Sequence, residues 1–295
     1  MIDGLVVVDK EPDWTSHDVV ARLRGVFGQR RIGHAGTLDP AATGVLLVGL
    51  GRVTRLMRYL QETTKTYTGR VVFGIATDSL DADGTEVARA EMPVTREQVV
   101  AAALDFTGTI EQVPPMVSAL KVGGRRLHEL AREGVEVERA PRTVRIDALS
   151  VDEFTPGPFP EAVISVVCSS GTYIRSLAAD LGARLGGPAH LAALRRTAVG
   201  SFTEQEARPI DAIAADPSAA VLGPAEALRD LDRLIADPAT AGPIAHGSRL
   251  AGDALGAVGP GPFAVVDGDG SLLAVYERRG EILKPSVVLA TEVAG

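Results

Sequence analysis

Cysteine is almost missing from this 295-residue chain: Cys168 stands alone. That excludes a disulfide framework and a zinc site built from several cysteines, and it fits a reducing cytoplasm. The five histidines, His17, His34, His128, His190 and His246, are scattered without any H-E-x-x-H or similar metal-binding spacing. Long apolar runs are missing too. The first of them, Leu5 to Val8, ends at Asp9 and has no basic segment before it, so no signal peptide is expected. No uncharged apolar stretch approaches the ~18 residues of a membrane span, and the expected location is the cytoplasm. Lysine is scarce, with 4 against 26 arginines. That ratio reads either as a preference for forked guanidinium contacts to phosphate or carboxylate or as GC-rich codon usage. The many Ala and Gly favour the second reading.

An excess of positive charge is the last absence. Thirty basic residues face 38 acidic ones, net −8, so the whole-chain basic footprint of an indiscriminate nucleic-acid binder is not there. The average conceals two regions. Residues 1–200 hold 23 basic and 24 acidic side chains, whereas 201–295 hold 7 and 14. Within 17–58, 7 arginines face 2 aspartates, and 121–145 carry 7 basic against 4 acidic residues. Local basic surface therefore remains available for phosphate.

What is present is an ordinary soluble composition, 45% apolar and 23% charged, long enough for one large domain and a small one. Residues 4–8 read as a buried strand. Thr15 or Ser16 then caps a helix with Val19, Val20, Leu23 and Val26 at helical spacing, ended by Gly28. A strand over 45–48, a basic helix over 52–60 and a strand over 65–75 follow, and then an acidic loop, Asp78–Gly84. Thr95 and Gln98 form a capping box for a helix through Leu104. Pro114-Pro115 opens an extended segment, a helix is expected around Arg126–Arg132, and strands over 142–154 and 161–168 form a hairpin. A helix then runs from Tyr173 to Leu185. Helices mixed with antiparallel strands make the chain α+β, with a mixed, largely antiparallel central sheet flanked by helices. After about residue 215 the composition shifts to Ala, Asp, Gly and Pro, followed by short strands. The expected division is 1–222 for the main domain and 223–295 for a small β-rich one.

The most unusual stretch is Arg31-Ile-Gly-His-Ala-Gly-Thr-Leu-Asp-Pro-Ala-Ala-Thr-Gly44. Its glycines permit positive φ, Pro40 keeps Asp39 out of helical geometry, and the loop lacks the Walker phosphate pattern. From the residues alone, Asp39 is either a catalytic carboxylate or a turn residue bonding its own backbone.

Six segments in order resemble the TruB family of tRNA pseudouridine synthases. They are Val7-Val8-Asp9-Lys10 with Thr15-Ser16; Gly33 to Gly44; Lys65-Thr66-Tyr67; Pro114-Pro115 to Leu130; Ser169 to Leu177 around Arg175; and Leu194-Arg195-Arg196-Thr-Ala-Val-Gly200. The resemblance covers residues 4 to about 205. It implies the pseudouridine synthase fold with a C-terminal PUA-like domain, and isomerisation of uridine 55 in the T-loop of tRNA. It implies Asp39 as the catalytic carboxylate, either attacking C1′ or removing the 2′ proton. Tyr67 would lie against the flipped uracil, and Arg175 would pair with Asp39 and lower its pKa. His34 would enter the T-loop, Leu194 would pack beside the target base, and Lys10 would join the substrate-binding set. Such an isomerisation implies no cofactor, metal or ATP. The expected partner is tRNA at its elbow and T-loop, bound by a monomer without an obligatory protein partner.

The chain departs from the family pattern in places. Glu11 stands between Lys10 and Pro12 where the family reads Lys-Pro, and Val117 and His128 occupy positions that are aromatic in the family. The C-terminal part matches the PUA-like pattern only in Gly247-Ser-Arg-Leu and the last strands. A module that clamps and folds tRNA, with chemistry secondary, is the alternative reading. The guide-RNA-dependent rRNA-modifying relatives are disfavoured because the chain has no extra basic tails.

Overall fold

The unbroken apolar run Leu5-Val6-Val7-Val8 is explained by a strand buried on both faces. The computed structural model describes residues 1–118, 120–122, 124–127, 130, 133, 135 and 137–289; most of the expected 126–132 helix, with His128, falls outside them. Among these residues a nine-stranded mixed sheet forms the main body. Its strands are β1 (Gly4–Lys10), β2 (Ile32–Ala35), β3 (Thr43–Leu50), β4 (Lys65–Phe73), β7 (Gly108–Gln112), β10 (Arg142–Thr155), β11 (Glu161–Cys168), β12 (Ala189–Val199) and β13 (Phe202–Thr203). Two short antiparallel pairs stand apart from it: β5 (Ile75–Thr77) with β6 (Glu86–Arg89), and β8 (Lys121–Val122) with β9 (Arg125–Arg126). The order across the sheet is β1-β3-β12-β4-β11-β10-β7, antiparallel throughout that path except where β12 meets β3. The α+β reading and the 142–168 hairpin agree with this arrangement. The sequence reading missed β12, which carries two register shifts and joins the two halves of the sheet.

Helices cover one face. α1 (Ser16–Phe27) is capped by Thr15, whose side chain accepts from the Asp18 amide, and it ends at Gly28 in the left-handed region, φ +60°. α2 (Met57–Gln61), which lies on the opposite face, continues a 3-10 turn over Gly51–Leu56. The expected capping box holds for α3 (Arg96–Leu104), and α4 spans Ile174–Arg184. Val6 and Val8 of β1, Leu46 and Val48 of β3, and Ile174, Leu177 and Leu181 of α4 share the core on this face. The short α5 (Ile210–Ala215) closes it through Ile210 and Ile213. No helix among the described residues is long and apolar enough to cross a membrane.

On the other face, Leu5, Val7, Val45 and Leu47 pack with Val53, Leu56, Met57 and Leu60. The same cluster takes in Ala264, Val266, Leu272, Val275, Val287 and Leu289 from a second, five-stranded sheet. That sheet is β14 (Asp232–Ile235), β15 (Leu250–Ala251), β16 (Phe263–Val266), β17 (Leu272–Arg279) and β18 (Ile282–Val288), with α6 (Pro238–Ala245) beside it. Three arginines one turn apart reinforce the contact. Arg52 donates to the Leu289 carbonyl and pairs with Asp3, Arg55 donates to the Val288 carbonyl at 2.8 Å, and Arg58 binds Ser286 and Glu277. Three of the basic side chains counted over 17–58 are thus engaged by the second sheet, and Asp3 and Glu277 offset the charge of two of them.

Since the second sheet shares its core with the first, the chain should unfold in one transition. Leu56→Ala, at a fully buried position between the sheets, should cost about 2–5 kcal/mol. Urea unfolding followed both by Trp14 fluorescence and by far-UV circular dichroism should give coincident curves. Two separated transitions would show that the shared core does not couple the sheets.

Candidate active site

The loop 36–42 runs between β2 and β3 without a ladder of its own, so its carbonyls need donors from elsewhere. Four side chains supply them or fix the loop. Ser16, at the first turn of α1, accepts from the Leu38 amide at 2.9 Å and donates to the Leu38 carbonyl at 3.2 Å. Lys10 is fully buried, and its ammonium donates to three carbonyls: Glu11 at 2.9 Å, Trp14 at 2.7 Å and Pro40 at 2.9 Å. The three N–H groups of an ammonium are thereby all matched. The Glu11 insertion is absorbed by this turn, with Asp13 at φ +64° and its amide donating to the Pro40 carbonyl. Arg196, also buried, donates to the carbonyls of Val45 at 2.7 Å and Gly36 at 3.1 Å. Arg175 takes the side chain of Asp39 itself, at 2.9 Å.

Arg175 stands in the first turn of α4, where a cation opposes the helix dipole. The site compensates with two carboxylates, Asp39 and Asp81 (3.2 Å), and with the carbonyls of Ser79 (3.0 Å) and Val117 (2.8 Å). The start of α4 is itself fixed by Gln112 of β7. This side chain is buried, donates to the Tyr173 carbonyl at 3.2 Å and accepts from the Tyr173 amide at 3.0 Å.

These elements surround a cleft of about 480 Å³ lined by Gly36 to Asp39, Lys65, Tyr67, Ser169 to Arg175, Leu194 and Arg196. Such a volume suits a small-molecule-sized group. Asp39, Tyr67, Arg175 and Leu194 of the expected set are together here. His34 and Lys10 are not on the wall. His34 sits on β2 opposite Val48, its ring edge-on to His17 with centroids 5.4 Å apart and its buried Nδ1 without a hydrogen-bond partner among the described residues. Lys10 lies beneath the loop.

The electrostatics differ from expectation in one respect. Arg175 was expected to depress the Asp39 pKa, but desolvation in the cleft wall outweighs the Arg175 guanidinium, and nearby Asp81 adds to it, so the carboxyl titrates above its ordinary range. Burial pushes Lys10 and Lys65 down to about 8, and His34 down to about 4, which keeps that imidazole neutral. Burial likewise raises Tyr67 and takes the Cys168 thiol up to about 11, leaving both protonated at neutral pH. Asp81, Lys65, Arg196 and Gln112 were not singled out from sequence. For Asp81 a signal existed: a cation placed against a helix dipole needs more negative charge than one exposed carboxylate supplies.

Residues 24–174 match the TruB family pseudouridylate synthase N-terminal domain, and residues 175–236 match the tRNA pseudouridylate synthase B C-terminal domain. The protein "tRNA pseudouridine synthase B" of Gloeobacter violaceus is 48% identical over 98% of this chain and 100% of its own length. That of Thermobifida fusca is 44% identical over 98% and 99%, and that of Symbiobacterium thermophilum 49% over 83% and 82%. Among solved structures, a chain of "Structure of H/ACA RNP bound to a substrate RNA containing 2'-deoxyuridine" superposes with TM-score 0.76 at 22% identity, covering 98% of this chain and 85% of that one. A chain of "Crystal Structure of a Cbf5-Nop10-Gar1 Complex" gives TM-score 0.74 at 24% identity, over 96% and 83%. At that identity the two structures speak for the shared fold. The sequence matches go further: this chain belongs to the TruB family of pseudouridine synthases.

Proposed function

We propose that the chain converts uridine in tRNA, at position 55 of the T-loop, to pseudouridine, with Asp39 as the catalytic carboxylate. The observation that carries this reading is the Asp39 carboxylate held at 2.9 Å by a buried Arg175 in a cleft that Tyr67 also lines. The base must leave the stack to reach it. Asp39 then attacks C1′ or removes the 2′ proton, and the N1–C1′ bond breaks. The freed uracil turns within the cleft and rejoins through C5; the C5 proton is lost and N1 gains one, so composition is unchanged. Tyr67 supplies an apolar face for that turn, and its protonated hydroxyl brings no competing charge. Leu194 flanks the base. His34, neutral and outside the cleft, is suited to fill the gap in the T-loop stack left by the flipped base.

Lys10, from its position, acts on the substrate only through the loop it holds. The relatives' names specify tRNA, and a monomer suffices, because the cleft is completed within one chain. We place the boundary between the catalytic unit and the PUA-like unit at residues 222 and 223, ahead of the second sheet's first strand at Asp232.

Asp39→Asn decides between enzyme and folding module. With unmodified tRNA, product should fall by at least about 10²-fold, as for loss of a base or nucleophile, while binding by gel shift persists. Undiminished modification would refute the role given to Asp39, and product mapped outside the T-loop would refute the substrate.

The pH dependence has a defined sign. The reaction needs ionised Asp39, whose pKa is raised, so kcat/KM should fall with decreasing pH at a higher pH than an ordinary aspartate would set. Arg175→Gln removes the nearest lowering charge and should move that acid limb upward; a downward movement would contradict the assignment.

A further inference from the structure

We propose that Arg196 is a positioning residue for the isomerisation, fixing from beneath the cleft both ends of the loop that carries Asp39. The inference rests on the reading of Asp39 as the reacting carboxylate.

The side chain reaches the loop's entry. Its Nη2 donates to the Gly36 carbonyl at 3.1 Å, its Nη1 lies 3.5 Å from the Thr37 carbonyl, and its Nε donates to the Val45 carbonyl at 2.7 Å. The backbone of the same residue meets the loop's exit. Arg196 stands opposite Gly44 in the parallel β12–β3 ladder and opposite Tyr67 in the antiparallel β12–β4 ladder. The exit contact is close: a Cβ on Gly44, already at φ +98°, would lie 2.2 Å from the Arg196 carbonyl oxygen. Asp39 is thus suspended between two attachments made by one residue, which also stands opposite Tyr67 in the sheet.

The chemistry of the residue supports the role. Arg196 is only 1% exposed, yet the ion pairs among the described residues leave it out. Burying a guanidinium without a carboxylate is strongly disfavoured unless other acceptors take its donors. Here the acceptors are the carbonyls of Gly36 and Thr37 in the loop and of Val45 just beyond it, so the cation is retained for the loop and not for packing, which a methionine would serve. A lysine could not replace it, since an ammonium offers its donors from one point while the fork reaches a carbonyl on β3 and two in the loop.

Arg196→Lys, assayed in the full chain with unmodified tRNA, is the test. The single-turnover rate should drop by about 100-fold, the loss that follows an ångström-scale misplacement of a reacting group, while tRNA Kd stays within about threefold. Amide hydrogen exchange should rise in residues 36–43 and stay unchanged in β4, β10 and β11. Asp39→Asn run in parallel checks the premise: if it keeps wild-type product formation, the catalytic reading of Asp39 fails whatever Arg196 does. If Asp39→Asn is inactive while folded Arg196→Lys turns over at the wild-type rate, the positioning role is overturned. It is equally overturned if exchange rises across the whole sheet in step with the rate loss. Should Arg196→Lys give no folded protein, Gly36→Ala perturbs the same attachment. Its Cβ would lie 3.5 Å from the Arg196 Nη1 on a backbone at φ +83°. The same rate loss at unchanged Kd is expected, and a wild-type rate would count against the proposal.

Discussion

The site depends on how an irregular backbone segment is satisfied inside a protein. Residues 36–42 have neither helix nor ladder, and buried carbonyls left without donors would cost about 1–3 kcal/mol each. Water could serve them only by flooding the cleft floor. The chain uses cations instead, because a lysine brings three donors and an arginine five to a single centre. Lys10 serves Pro40, Arg196 serves Gly36 and Val45, and Ser16 closes the gap at Leu38. Burying those charges is unfavourable in itself. Carbonyl dipoles offset it, and the loop that results is held from several directions at once.

That solution sets the field in the cleft. Lys10, Lys65, Arg175 and Arg196 lie on or beneath its wall with Asp39 and Asp81 as counter-charges. The cations work against one another, which is part of why Lys10 and Lys65 are held near 8. Asp39 experiences two opposed influences, Arg175 favouring the carboxylate and desolvation opposing it, and desolvation prevails. On the proposed function, a carboxylate partly stripped of water but still paired is more basic than a fully exposed one, which suits either route at the ribose.

Local features were legible in the sequence. The capping boxes at Thr15 and Thr95, the helix stop at Gly28 and the 142–168 hairpin depend on neighbours within a few residues or across one turn. β12 was not, because its register shifts near Leu191 and Ala198 break the two-residue alternation and its buried Arg196 imitates a surface residue. For the same reason Lys10 read as a substrate contact: nothing in Asp9-Lys10-Glu11 tells that three carbonyls, one of them far along the chain, enclose the ammonium. The family resemblance located Asp39, Tyr67, Arg175 and Leu194, which the cleft brings together. It gave no account of Asp81, whose partner Arg175 is remote in sequence.

The net charge of −8 can now be weighed against these positions. Arg52, Arg55 and Arg58 contact the second sheet, and Asp3 and Glu277 offset the charge of two of them, so they add less to a surface that attracts phosphate than their number suggests. Four cations, Lys10, Lys65, Arg175 and Arg196, lie within and under the cleft. Charges placed there are screened less by salt than exposed ones, and they act on whatever enters more than on a backbone passing outside. On the proposed function, this favours a base and ribose delivered into the cleft over RNA at large. On that reading, an acidic chain with buried cations at its cleft trades general affinity for discrimination.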